Sequence, residues 1–275
     1  MPQLDIPGAS LYYETAGSGP VLLCVSGANG SADLWKPLAR QLGKYFTVVT
    51  YDRRGFSRSI LSGSQDYAHR LETDADDAAL LIAHVSPDEP ATVLGNSSGA
   101  IVSLELLNRH PEAVRMLLAH EPPLLKLLPD YEQLMATQRD IYQTYRKYGA
   151  EPAVLRFAEF IQAGDETTGL VRSFDPKRSP YAFANTLYWF EREFPYYVAH
   201  DLDLFKLGAQ RNKLLLLNGH ESNPSALQYR PNVVLSERIG LELHTVPGGH
   251  VGFAIHASKF ATAVHDVLKD RDSSY

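Results

Sequence analysis

Short apolar runs alternate with helically spaced segments through the first half of the chain, give way to a long helical stretch, and resume near the end. Leu11 to Thr15, Pro20 to Ser26, Phe46 to Tyr51, Ala91 to Leu94 and Val114 to Ala119 read as strands. Helical patterns lie between them over Asp33 to Leu42, about Tyr67 to Val85, and Ser98 to Asn108. In the second of these, Leu71, Ala75, Ala78, Ala79 and Ile82 fall on one side at helical spacing. Pro20 to Ser26 is mostly apolar rather than alternating, which is the pattern of a strand buried on both faces. Strands of that kind need helices above and below, so βαβ units and a mostly parallel central sheet are expected.

From Pro122 to Gln210 helical signals outnumber strand signals, and many of the aromatic residues gather there. Strands then return at Lys213 to Leu217 and Glu242 to Val246. A mixed, partly helical segment, Pro224 to Ile239, separates them, and a helix over Ala257 to Lys269 closes the chain. The expected organisation is a core of residues 1–121 and 211–275. A helical cap, 122–210, is inserted after the sixth strand. Such an insertion stands over the carboxyl ends of the strands, where open α/β sheets take their ligands.

Composition removes several function classes. The net charge is −6 with no Lys/Arg cluster, which disfavours nucleic acid or an anionic membrane as partner. The longest apolar runs, Val21 to Val25 and Leu214 to Leu217, are far shorter than a bilayer span. The start, MPQLDIPGAS, carries no secretory pattern. The lone cysteine, Cys24, excludes an internal disulfide and fits a reducing, cytoplasmic setting. The histidines have no zinc-type spacing, so neither a metal nor another cofactor is expected.

The strongest local signal is Gly95-Asn96-Ser97-Ser98-Gly99. Three fixed positions of ordinary frequency give roughly 0.1 chance matches in a chain of this length, so context carries the argument. An apolar strand ends at Leu94 and a helix opens at Ser98, which puts Ser97 on a tight strand-to-helix turn. Such a turn lifts the hydroxyl clear of the backbone. The competing reading is a plain helix cap. A serine nucleophile needs a base, and Pro247-Gly248-Gly249-His250 supplies one after the last strand. The base in turn needs a carboxylate to orient it. Two places offer one: Glu221, in the loop after Lys213 to Leu217, and Glu121, in His120-Glu121-Pro122-Pro123 after Val114 to Ala119. An oxyanion hole would use the N–H of Ser98 and one from the Gly-rich loop Ser26 to Gly30, where Ala28 is the expected donor.

With these motifs and Asp52-Arg53-Arg54-Gly55-Phe56-Ser57, the chain resembles the α/β-hydrolases over nearly its whole length. It is similar in more detail to the fungal zearalenone lactonases. Their Ser-Ser-Gly-Ala turn is matched by Ser97, Ser98, Gly99 and Ala100, and their His-Glu-x-Pro step by His120 to Pro123. The resemblance implies an α/β-hydrolase fold with Ser97, His250 and Glu121, rather than Glu221, as triad. It also implies a cap tryptophan over the substrate, for which Trp189 is the candidate.

The function expected is hydrolysis of a carboxylic ester or lactone through an acyl-enzyme. Carbon–carbon hydrolysis of a diketone and a hydrolase-derived small-molecule receptor are the alternatives. Tyr188-Trp189-Phe190 cannot all face one helix core, because adjacent helical residues diverge by about 100°. Trp189, with Tyr188 beside it, is therefore expected to wall a cleft for a bulky, ring-containing substrate, a lactone of resorcylic type. The partner expected is that small hydrophobic molecule, with a homodimer as the one assembly entertained.

Overall fold

Even- and odd-numbered residues of the central strands go to opposite faces of one sheet, and each face is covered by helices. The computed structural model describes residues 2–272. The strands are β1 (Gln3–Ile6), β2 (Ala9–Ala16), β3 (Val21–Val25), β4 (Thr47–Tyr51), β5 (Ile60–Leu61), β6 (Ala91–Asn96), β7 (Val114–His120), β8 (Leu214–Gly219) and β9 (Leu243–Val246). They form one sheet in the order β1-β2-β4-β3-β6-β7-β8-β9, with β5 paired to β2. From β4 to β9 every pairing is parallel; β1, β2 and β5 add antiparallel pairings at one edge.

Leu22, Cys24, Leu94, Leu118, Leu215 and Leu217 pack on one face. Against them lie α1 (Lys36–Leu42) and α11 (Ala257–Arg271), joined by the short α10 (Gly252–Ile255). Leu23, Val25, Val93, Leu117, Ala119, Leu214 and Leu216 pack on the other face. That side is covered by α2 (Arg70–Val85), α3 (Ser98–Arg109) and α9 (Arg230–Ile239). Burial on both faces is why these strands read as apolar runs without alternation. β1, with exposed and half-buried residues only, had no such signal and is an addition to the expected elements. The helix expected over Asp33 to Leu42 divides into a 3-10 turn, Ala32–Trp35, and α1, with Pro37 in the first turn of α1.

The helices between β7 and β8 are α4 (Tyr131–Tyr148), α5 (Ala150–Ile161), α6 (Thr167–Ser173), α7 (Ala182–Arg192) and α8 (Leu204–Ala209). They follow the seventh strand in chain order, which is the sixth along the path through the sheet once the two-residue β5 is set aside. Most of them share a third core. Phe157, Phe174, Trp189, Phe190 and Phe194 pack ring against ring there, with neighbouring centroids 4.7 to 6.2 Å apart. Edge-to-face contacts predominate among these pairs, as ring quadrupoles favour. No helix among the described residues is long and apolar enough to cross a membrane.

Candidate active site

Ser97 sits between the end of β6 and the first residue of α3 with φ 57° and ψ −130°. That conformation is costly for a residue with a Cβ, of order 1–3 kcal/mol. Its neighbours make it obligatory. A Cβ on Gly99 would stand 2.2 Å from the Val25 carbonyl oxygen, and one on Gly95 would stand 2.5 Å from Ser103 Oγ. Both glycines thus let α3 start hard against β3 and β6. The Ser97 N–H donates to the His120 carbonyl at 3.0 Å, which ties the turn to β7. Glu121, one residue past β7, is a second non-glycine residue at positive φ, 48°. Two strained residues on adjacent strand ends point to a site held in shape for a purpose.

The strand ends bring the expected residues together. Glu121 is fully buried. Its Oε2 accepts a hydrogen bond from His250 Nδ1 at 2.8 Å, and its Oε1 accepts the Gly219 N–H at 2.9 Å. Burial alone would raise this carboxyl. The bond from His250 and the neighbouring imidazoles outweigh it and hold the group down at about 2. Glu121 is therefore ionised, and His250 has its Nδ1 committed and its Nε2 available. His250 and Ser97 line the same cavities. Glu221, the other candidate acid, is more than half exposed and lies 4.0 Å from His256 Nε2 instead.

The oxyanion candidates flank Ser97. Gly27 packs so closely that a Cβ there would meet Ser97 Cβ at 2.8 Å. Ala28, next along, lines both cavities beside Ser97. Ser98 is the first residue of α3, so its N–H belongs to the helix amides that have no partner one turn back. Helix N-termini favour negative charge.

Residues outside the expected set complete the site. Asn96 Nδ2 donates to the His250 carbonyl and lies 3.0 Å from His120 Nδ1. Arg53, fully buried, donates from Nε to the Ser26 carbonyl (2.7 Å) and from Nη2 to that of Gly27 (2.9 Å). It also pairs with Asp74 (2.6 Å) and bidentately with Glu193 (2.7 Å). That guanidinium fixes the Ser26–Gly27 loop from behind, a role that the Asp52 to Ser57 segment did not disclose. Bidentate Arg–carboxylate geometry suits this use, since direction is set as well as charge.

The two aromatic candidates part company. Trp189 is almost fully buried among the rings of the third core and lines the smaller of two cavities at Ser97. Tyr188 points elsewhere, a correction to its expected place in the cleft. Its hydroxyl accepts from Arg70, its ring stands edge-on to Phe56 at 5.0 Å, and it lies against Gly55. The larger cavity, about 130 Å³, is lined by Gly27, Ala28, Phe157, Ile161, Leu170 and Phe253, among others. The smaller, about 40 Å³, adds Phe160, Phe194 and Leu227. Among the described residues there is no cluster of His, Cys, Asp or Glu suited to a metal ion.

His120 gives the site a pH signature. It is fully buried, and burial lowers its imidazole to about 4. Between about pH 6.5 and 4 the unfolded chain binds a proton there that the folded chain does not. The associated stability is complete above pH 6.5 and falls as the pH drops towards 4, by on the order of 3 kcal/mol. Urea midpoints at pH 7 and pH 4.5 should differ clearly in the natural protein and much less in His120→Asn. Equal differences in the two proteins would remove His120 as the cause.

Comparison with known proteins agrees with the fold. The family described as alpha/beta hydrolase fold matches residues 20–254. An uncharacterized hydrolase, YraK, of Bacillus subtilis is 34% identical over 97% of this chain and 95% of its own length. A zearalenone hydrolase of Bionectria ochroleuca is 25% identical over 94% of this chain and 93% of its own. Among solved structures, a thermophilic esterase from Thermogutta terrifontis superposes with a TM-score of 0.76 at 18% identity, covering 98% of this chain and 99% of that one. A tight serine turn after a parallel strand, a late histidine and a nine-stranded sheet thus sit in a chain that belongs to the α/β-hydrolase fold family.

Proposed function

We propose that the chain is a cofactor-free serine hydrolase of carboxylic esters or lactones, with Ser97, His250 and Glu121 as its triad. The observation that carries this reading is the fully buried, ionised Glu121 bonded to His250 Nδ1, with Ser97 in the same apolar cavity. Ser97 Oγ attacks the carbonyl while His250 Nε2 takes its proton. The N–H groups of Ala28 and Ser98 bind the developing oxyanion. His250 then protonates the leaving alkoxide, and water repeats the sequence on the acyl-enzyme. The inserted helices act as a cap that roofs the cavity. Relatives named as an esterase and a zearalenone hydrolase support this reaction class.

Cavity volume narrows the substrate. A dry cavity of ~150 Å³ holds a molecule of about benzene's size. The larger lobe, about 130 Å³, therefore suits a compact apolar group on one side of the ester. The second lobe, about 40 Å³, leaves room for a few atoms on the other side. This supports a smaller substrate than a resorcylic macrolactone, which would need the rings around Phe157 and Trp189 to move apart.

A panel of chromogenic esters and lactones of graded size tests the reading. Short aliphatic and single-ring esters should be the best substrates and a macrolactone a poor one. Trp189→Leu should raise the macrolactone-to-acetate ratio of kcat/KM by roughly tenfold, on the scale of a few methylenes of space. Faster cleavage of a diketone than of any ester, or no ester hydrolysis at all, would defeat the proposal.

A further inference from the structure

The catalytic loop is held from above by a carboxylate that no motif announces. Glu166 lies in a 3-10 turn, Gly164–Glu166, directly before α6, and its side chain is only 7% exposed. Its Oε1 accepts the N–H of Gly249 at 2.8 Å, and its Oε2 accepts the N–H of Val251 at 2.7 Å. These are the backbone amides of the two residues on either side of His250. From below, Asn96 Nδ2 holds the His250 carbonyl at 3.0 Å. The loop is shaped around the acid: a Cβ on Gly249 would fall 2.9 Å from Glu166 Oε2. Hydrogen bonds to a carboxylate are among the stronger and more directional kind, and here two of them fix a three-residue span.

The same short segment forms the cavity wall. Gly169, Leu170 and Ser173 of α6 line the larger lobe at Ser97. A group filling that lobe therefore touches the helix whose preceding residue brackets the base.

We propose that Glu166 is a positioning residue that locks His250 in its catalytic orientation and couples that orientation to the seating of α6 over the cavity. The inference rests on the reading of His250 as the base. With α6 in place, the two amides are held and the imidazole stays between Glu121 and Ser97. With α6 displaced, the Gly248-Gly249 loop loses its upper anchor and the base is free to drift. Misplacement of a reacting group by about 1 Å costs on the order of 100-fold. Occupancy of the larger lobe and readiness of the base thereby become one event.

The test reads His250 directly. The groups facing its ring and loop are few. Glu121 and the neutral His120 come from the end of β7, and Asn96 and Ser97 from the end of β6. Glu221 and His256 lie beyond the Gly248 peptide. Glu166 comes from the inserted helices, and Glu193, already paired with Arg53, lines the smaller lobe. Glu166→Gln leaves one carbonyl oxygen for two amide donors, so one of the two bonds to the loop is lost. The His250 ring nitrogen signals, which report the bond to Glu121, should therefore shift and broaden in nitrogen-detected NMR of Glu166→Gln.

Amide exchange at Gly249 and Val251 should accelerate, and kcat on a short ester should fall about 10- to 100-fold with KM little changed. Glu166→Asp keeps the charge but shortens the reach. It should lose kcat and speed exchange at the same two amides, and it carries the test if the glutamine variant does not fold. Glu159→Gln, which removes an exposed charge from α5, should match the natural protein throughout. Unchanged exchange at both amides, or a kcat loss that only tracks the folded fraction, overturns the proposal. If no ester is cleaved by the natural protein, the hydrolase reading fails, and amide exchange and the His250 ring signals still decide this one.

Discussion

Ser97→Ala should lose several orders of magnitude in turnover while remaining folded. Removing a triad nucleophile elsewhere costs about 10⁶-fold in kcat, and the residual rate comes from the oxyanion hole and binding. Here the residual machinery stays intact, because Ala28, Ser98 and the Arg53 anchor do not depend on the Ser97 hydroxyl. The backbone strain makes a second, opposite expectation. At φ 57° glycine pays less than any residue with a Cβ. Ser97→Gly should therefore be as inactive as Ser97→Ala yet more stable than it, by about 1 kcal/mol. Denaturant midpoints of the two variants compare the strain directly. An organophosphonate should label Ser97 in the natural protein, as read by mass spectrometry of the peptide. Labelling at Ser98, or a Ser97→Ala enzyme with near-normal turnover, would remove Ser97 from the role.

What the chain discloses before folding follows the chemistry of each signal. The parallel strands were legible because burial on both faces leaves no polar position, as in Leu214 to Leu217. β1 was not, since its residues are exposed or half-buried and carry no such run. Ser97 and His250 were legible through the glycines beside them, which a tight turn and a close loop require. Tyr188 and Trp189 were half legible. Helical divergence says that one of three successive rings must leave the helix's own packing, but not which side it leaves by. Tyr188 leaves towards Arg70 and Phe56, away from Ser97, drawn by a buried guanidinium that spacing cannot place. Arg53 and Glu166 act on backbone carbonyls and amides. Such partners have no side-chain signature, so nothing at a distance of many residues marks them.

The acid of the site is the sharpest remaining test. Glu121→Gln keeps the size of the side chain and removes one acceptor. In the natural protein both oxygens accept, Oε2 from His250 Nδ1 and Oε1 from the Gly219 N–H. A glutamine has one carbonyl oxygen for two donors. If the oxygen serves Gly219, the amide nitrogen faces His250 Nδ1 and favours the tautomer that carries its proton on Nε2. That tautomer cannot take the Ser97 proton. The loss should therefore be about 10⁴-fold in kcat, as for an aspartate-to-asparagine change in another triad. Glu221→Gln should change turnover little, because that carboxylate is largely solvated and faces His256. An exposed contact of this kind contributes ~1 kcal/mol or less. Steady-state rates of both variants on one short ester decide between the acids. A large loss in Glu221→Gln with near-normal Glu121→Gln would return the acid to the loop after β8 and leave the buried Glu121–His250 pair without a catalytic role.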